Sequence, residues 1–227
     1  MAGLLARILP DSRPVHVARF LYHQRVKGFL VPDDPWFDAG ATEAFNDHLS
    51  DSHLYVEFGT GGSTLLAGRL GKRTVSVESD PYFARAVAAR LSAGAPVRMI
   101  HADIGLTLGW GVPAFRTLTP ARRRRWLGYV TAPYAAPELQ NDFPDFVLVD
   151  GRFRRACALE AARRARLGSH PLTIMVDDYA ERTPFRQIET YLGAPRMAGW
   201  AALFVVTPDS GAAITGDMVA EAATDWN

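Results

Sequence analysis

The sequence predicts an α/β fold built on a mostly parallel sheet. Three observations carry that prediction. Short, continuous apolar runs recur along the chain, of the kind that suits strands buried on both faces. Stretches rich in Ala, Leu and Arg separate most of these runs and read as helices. Several runs end in glycines or acids, as strands do at the ligand-binding edge of an open sheet. Strand and helix in alternation imply right-handed crossovers between parallel neighbours.

The first fifty residues are helical in pattern. Residues 15–26 bring Val17, Phe20 and Leu21, with Gln24 one turn on, to a common face. Val31-Pro32-Asp33-Asp34-Pro35-Trp36 ends that helix, because proline lacks a donor and clashes with the preceding turn. Residues 41–49 read as a second helix with Thr42 as its N-cap. Residues 1–50 are therefore expected to form an N-terminal helical cap within the same domain as residues 51–227.

The strand signals begin at Leu54-Tyr55-Val56-Glu57-Phe58. Further runs follow at 73–78, 97–101, 146–150 and 172–177, and 201–206 reads as a last strand whose neighbour the pattern does not place. Helices are expected at 63–70, 81–91 and 154–167. Residues 104–141 interrupt the alternation with glycines, prolines, Trp110, Trp126, Tyr129 and Tyr134. A loop-rich insertion of this length in a compact domain points to a substrate-facing role.

Composition bounds the function. The chain has 227 residues, with Lys+Arg 25 against Asp+Glu 24, a formal charge of +1. That balance disfavours a general nucleic-acid binder and excludes a polyacidic tail protein. The single cysteine, Cys157, excludes an internal disulfide framework and reads as a small buried hydrophobe. No stretch approaches the roughly 20 apolar residues that span a bilayer. In Met1 to Pro10 the only basic residue, Arg7, lies inside the apolar stretch, unlike a secretory signal. A cytoplasmic protein without membrane partners is the expectation, with oligomeric state left open.

The sharpest motif is Glu57-Phe58-Gly59-Thr60-Gly61-Gly62-Ser63-Thr64, which follows a strand and opens a helix. Glycines let the backbone turn sharply and approach a ligand, and the helix start offers unpaired N–H groups. Glu78, followed by Ser79, closes the next strand and is placed to accept from two ribose hydroxyls. Asp103, just beyond the third strand, is placed to meet an adenine edge. The dinucleotide fingerprint wants a third glycine where this chain has Thr64. Glu57 would also repel a pyrophosphate, at a cost of roughly 4 kcal/mol for unit charges about 4 Å apart at an effective dielectric of 20. The same carboxylate suits a cofactor carrying an ammonium and a sulfonium. Cofactor-binding candidates are thus Glu57, Gly59, Thr60, Gly61, Gly62, Ser63, Glu78, Ser79, Asp103 and Asp150.

With these residues in order, the sequence resembles the class I S-adenosylmethionine-dependent methyltransferases. The likeness is carried by the glycine loop, Val77-Glu78, His101-Ala102-Asp103, Val149-Asp150-Gly151 and Val176-Asp177-Asp178-Tyr179, over about residues 50–205. It looks most like the small-molecule branch with "VDG" after the fourth strand and "DDY" after the fifth. The resemblance implies a Rossmann-like, doubly wound, seven-stranded sheet whose last strand is antiparallel. It also implies S-adenosylmethionine at the carboxyl ends of the early strands, and methyl transfer to oxygen or nitrogen of a small-molecule or saccharide acceptor.

Asp150, Asp177 and Asp178 converge on the same edge. Some related O-methyltransferases hold a divalent cation with matching acids. Here Asp150-Gly151 is followed by Arg152-Phe153, where those relatives have Asp-His, so a divalent cation is a disfavoured alternative and no metal site is assigned. Asp150 and Asp177 are the catalytic candidates, Asp150 first, as a base for the acceptor proton. His101 reads as packed or hydrogen-bonded, His170 as solvated, and Tyr179 as either acceptor contact or core. Arg122-Arg123-Arg124-Arg125 reads as a solvated helix face, with phosphate or RNA binding as the alternative. Trp36 and Phe37 read as packing the cap onto the sheet, with closure over substrate as the alternative. Two other functional classes stay open: an inactive nucleoside-binding module, and an NAD-dependent oxidoreductase, which Glu57 and Thr64 disfavour.

Overall fold

The computed structural model describes residues 13–209 and 211–226. The reading of Met1 to Pro10 falls outside the described residues.

Seven strands form one sheet: β1 Leu54–Phe58, β2 Arg73–Glu78, β3 Val97–His101, β4 Phe146–Val149, β5 Leu172–Val176, β6 Arg196–Ala198 and β7 Ala201–Val206. Their spatial order is β3-β2-β1-β4-β5-β7-β6. Only β7 is antiparallel, pairing in that sense with both β5 and β6. The expected seven-stranded, mostly parallel sheet with its last strand reversed is what forms. β6 is the neighbour the sequence left unplaced. It has three residues, two of them exposed at the sheet edge, so no apolar run announces it.

Strand parity sorts the core into two layers. Val56, Phe58, Val147, Val149, Ile174, Val176 and Phe204 point to one face. There they meet α5 Pro120–Thr131, α6 Arg154–Leu167 and α8 Gly216–Ala222. Tyr55, Phe146, Leu148, Met175 and Leu203 point to the other face, against α2 Ala39–Asp51. On that side α3 Gly62–Arg69 and α4 Pro81–Ala88 pack through Leu65 and Val87. The short α1 Arg13–Tyr22 continues into a π-helical turn at His23–Lys27, and α7 Glu189–Leu192 precedes β6.

One expectation about the first fifty residues, the N-cap of the second helix, is corrected. Helix α2 is part of the sheet's covering layer, because Phe45 and Leu49 are fully buried against Tyr55 and Phe146. Its N-cap is Asp38, not Thr42. Asp38 Oδ1 accepts from the Gly40 and Ala41 amides at 2.9 and 3.2 Å. Its other oxygen accepts from the Trp200 amide at 2.7 Å, in the turn that joins β6 to β7. One carboxylate therefore closes a helix start and a hairpin 162 residues away.

The insertion at 104–141 is not only loop. It contains α5, the helix that covers β1 and β4 on the way from β3 to β4. Trp126, Tyr129 and Val130 recur at helical spacing and are buried, with Trp126 Nε1 donating to the Ile104 carbonyl at 3.3 Å. The arginine run Arg122–Arg125 occupies the first turns of this helix, with Arg123 paired to Glu221 at 2.9 Å. Those contacts make it a surface helix face, as expected.

Candidate functional site

Strand order reverses between β1 and β4, so the loops leaving these two strands diverge and leave a crevice at the carboxyl edge. The glycine loop leaves β1 there, and Asp150-Gly151-Arg152-Phe153 leaves β4. The two loops touch. A Cβ on Gly59 would stand 2.8 Å from the Gly151 amide nitrogen, and Gly59 itself has φ +98°. On its other side Gly151 lies against the Tyr129 hydroxyl. Phe153 then takes a left-handed conformation, φ 56°, with its ring buried against Trp126 and Tyr129. Asp178 after β5 and Trp110 in the insertion are also left-handed, φ 56° and 61°. Strained backbone of this kind persists where packing over-determines it.

Glu57 is fully buried beneath the glycine loop, not beside its open face. Its carboxylate accepts from Tyr55 Oη at 2.9 Å, from Ser63 Oγ at 2.7 Å and from the Thr64 hydroxyl. Burial raises its pKa, and these hydroxyls oppose the rise. Its place is thus to hold the start of α3 to β1. Thr64 passes the restraint on, since its Oγ1 accepts from the Gly61 amide at 2.9 Å. Above Gly61 a Cβ would meet nothing within 4 Å, so the loop leaves open space there. Gly62 is closed instead, pressed against the Asp34 carbonyl of the segment that crosses over α3.

Glu78 faces the same loop from the end of β2. Thr60 donates to its Oε2 from both amide and hydroxyl, at 3.2 and 3.1 Å. Its Oε1 accepts from the Ser79 amide at 2.6 Å, the Ser79 hydroxyl at 3.0 Å and the Asp80 amide at 2.8 Å. Burial again raises the pKa while the donors counter it. The structure therefore brings Glu78, Ser79 and Thr60 together with Gly59 to Ser63. Asp103 is not joined to them by any hydrogen bond or ion pair. It is exposed, caps the Gly105 amide at 2.8 Å and approaches Arg125 at 3.5 Å.

Asp80 went unread in the sequence and ties the edge together. It caps α4 through the Tyr82 and Phe83 amides. Its second oxygen accepts from Gln24 Nε2 at 2.5 Å and from Thr107 Oγ1 at 3.1 Å. The N-terminal segment and the insertion are both fastened to the sheet at this carboxylate. Between them lies a cleft of about 350 Å³ lined by Arg19, Phe20, His23, Leu108 and Gly109. Trp36 and Trp110 meet with ring centroids 6.4 Å apart, yet remain 85% and 81% exposed. Phe37 packs onto Phe45 as expected of the cap, whereas Trp36 does not.

The three acids do converge: carboxylate oxygens of Asp150, Asp177 and Asp178 lie within 4.8 Å of one another. Burial and the Asp150 charge push Asp177 up to about 7. Burial also raises Asp150, which shares a hydrogen bond with Asp177, so the pair holds a proton near neutrality. A cation already bridges the cluster. Arg154, with 3% of its side chain exposed, places Nη2 2.9 Å from Asp150 Oδ1 and 3.2 Å from Asp178 Oδ2. Arg182 takes Asp178 at 3.0 Å from outside. Arg154 thus pairs with two of the three acids. Arg154 was missed in the sequence, although its i+4 spacing from Asp150 was a usable signal.

His101 is exposed at the end of β3, not packed. His170 is exposed as expected and stacks on Phe143. Tyr179 belongs to the core and donates to Glu189 at 2.8 Å. Cys157 is fully buried, with burial raising its thiol pKa.

Comparison with solved structures finds a methyltransferase-like protein from Silicibacter pomeroyi that is 33% identical. The likeness covers 86% of this chain and 100% of that one, with a TM-score of 0.71. A cofactor-bound protein from MTB is 18% identical over 92% of this chain and 96% of its own, with a TM-score of 0.48. A SAM-dependent methyltransferase from Neisseria gonorrhoeae is 11% identical over 76% and 69%, with a TM-score of 0.41. The last two are too distant to bear on the site. No protein-family model and no curated protein matches the sequence.

Proposed function

Because the chain belongs to the methyltransferase-like family with the class I fold, we propose that it binds S-adenosylmethionine and methylates an oxygen or nitrogen of a small-molecule or saccharide acceptor. The observation that carries this reading is Glu78 hydrogen-bonded to Thr60 across the mouth of the glycine loop.

The residues fit that cofactor. Open space above Gly61 leaves room for a ligand against the loop. Glu78 offers a buried carboxylate to a ribose diol, and the Thr60 hydroxyl is the partner that can swing away to admit it. Ser79 and Asp80 keep the other Glu78 oxygen fixed while that exchange occurs. Glu57 keeps the loop in place from below. The bound cofactor supplies an electrophilic methyl group on a sulfonium.

The protein's remaining work is alignment and proton removal. Asp150 stands at the mouth, with 37% of its side chain open, and shares a proton with Asp177. Once that proton has left, the pair can accept one from an acceptor hydroxyl or amine. The cleft beside Phe20 and Leu108 is the proposed entrance for the acceptor.

Titration calorimetry with S-adenosylhomocysteine tests the proposal. Binding in the micromolar range is expected, and a folded protein that takes up none at millimolar ligand would sink it.

A further inference from the structure

Arg152 is a buried cationic side chain beside the acid cluster that Asp150, Asp177 and Asp178 leave without an ion pair. It is 6% exposed, and Nε is buried without a hydrogen-bond partner. Among the described residues no side chain forms an ion pair or hydrogen bond with its guanidinium. The acids that could neutralise it are taken. Asp150 is engaged by Arg154 and by Asp177, and Asp178 by Arg154 and Arg182. A buried cation that is neither paired nor hydrogen-bonded costs stability. The fold nevertheless fixes it there. The Tyr129 hydroxyl meets the backbone at Arg152, and the Cys157 thiol lies 3.5 Å from its carbonyl. Its Cγ would stand 3.6 Å from a Cβ on Gly111, whose other neighbour would be Ser79 Oγ at 2.7 Å. Arg152 therefore lies on the crevice side of β4, next to the turn that faces Ser79.

We infer that Arg152 is the anion anchor of the crevice, receiving a carboxylate or phosphate that a ligand brings in. A planar guanidinium with its donors free suits either group in a bidentate pair. Burial first and the Arg154 charge second pull its pKa down, with Tyr129 and Asp150 opposing them. Two sources share this chemistry: the carboxylate of the cofactor's methionine moiety, or an anionic group on the acceptor. The choice between them rests on the methyltransferase reading above; the presence of an anion site does not.

Arg152→Met and Arg152→Lys test the inference against the wild type. Three ligands are titrated by calorimetry: S-adenosylhomocysteine, 5′-methylthioadenosine, which lacks the carboxylate, and inorganic phosphate. Melting temperatures are measured alongside. If the cofactor supplies the anion, Arg152→Met weakens S-adenosylhomocysteine about tenfold or more and leaves methylthioadenosine unchanged. If the acceptor supplies it, both nucleosides bind as before, and phosphate stabilises the wild type but not Arg152→Met. Arg152→Lys, which keeps charge and loses the fork, falls between in either case. Removing an unpaired buried charge should leave the melting temperature of Arg152→Met at or above wild type. Unchanged nucleoside binding together with no phosphate effect in the wild type would overturn the inference. So would a large fall in melting temperature in both variants, which would make Arg152 structural. Failure of the wild type to bind S-adenosylhomocysteine would refute the cofactor reading, while the phosphate titration would still judge Arg152.

Discussion

Arg154 reaches back one helical turn to place Nη2 2.9 Å from Asp150 Oδ1, and the same nitrogen lies 3.2 Å from Asp178. Nη2 also donates to the Asp150 carbonyl, while Nε and Nη1 go to the carbonyls of Gly151 and Asp177. One guanidinium thus fixes the ends of both β4 and β5. Replacing Arg154 with Met should destabilise the fold by about 3 kcal/mol, because it strips the counter-ion from a part-buried acid cluster. Thermal melts of Arg154→Met and of Arg154→Met with Asp150→Asn would check this. The double variant should be more stable than the single one, and equal losses would refute the pairing as the cause.

The proton shared by Asp150 and Asp177 gives stability a pH dependence. Asp177 is raised from an ordinary carboxylate value to about 7 by burial and by the Asp150 charge. Between about pH 4 and 7 the folded state therefore holds a proton that the unfolded chain has lost. Stability is highest at the acid end of that window and falls as pH rises through 7. Asp177→Asn should flatten the slope and raise the melting temperature at pH 8. A melting temperature that rises from pH 5 to 7.5 in the wild type, with no change in Asp177→Asn, would contradict it.

The same titration bears on turnover. If the pair accepts the acceptor's proton, kcat/KM rises as pH climbs through about 7 and the pair loses its own. Asp150→Asn should cut turnover at least a hundredfold with little change in S-adenosylhomocysteine affinity. Full activity in that variant would remove Asp150 from the proton path.

Glu78→Gln keeps the shape of the side chain but not its two acceptor oxygens. It should weaken S-adenosylhomocysteine roughly ten- to a hundredfold, the scale of a hydrogen bond to a charged group. The matching stability measurement separates a ligand effect from a loosened loop, since Thr60 would lose partners too.

Gly151 has no room for a side chain. A Cβ would press on the Tyr129 hydroxyl and stand 2.9 Å from both the Gly59 nitrogen and the Phe58 carbonyl carbon. Gly151→Ala should cost about 2–3 kcal/mol in denaturant unfolding. Tyr129→Phe in the same chain should recover part of that, because it removes one of the three clashes and leaves the backbone ones.

Much of this edge was legible in the residues. Strands β1, β2, β3 and β7 begin and end where the apolar runs do. Strands β4 and β5 stop one residue early, since Asp150 and Asp177 leave the ladder to enter the acid cluster. What could not be read depends on distant partners. Asp38 caps α2 because Trp200 also needs its carboxylate, and nothing local to Asp38 says so. Glu57 looks like a ligand-facing acid until its partners in α3 are known. The arginines of α5 mask the buried Trp126, Tyr129 and Val130 that make the helix part of the core. Arg152 read as a charge that spoils a metal site. Only the engagement of Asp150 and Asp178 by Arg154 and Arg182 shows that it has no ion pair.

The Asp38 clasp has a consequence for how the chain acquires its structure. The carboxylate that starts α2 waits for an amide made 162 residues later. Strand β7 must also slide between β5 and β6 before the sheet is complete. A ribosome-bound chain lacking the final hairpin can assemble β1 to β5, but it exposes the flank of β5 as an open edge. A chain that has not yet paired β7 with β5 therefore carries β5 as an open edge.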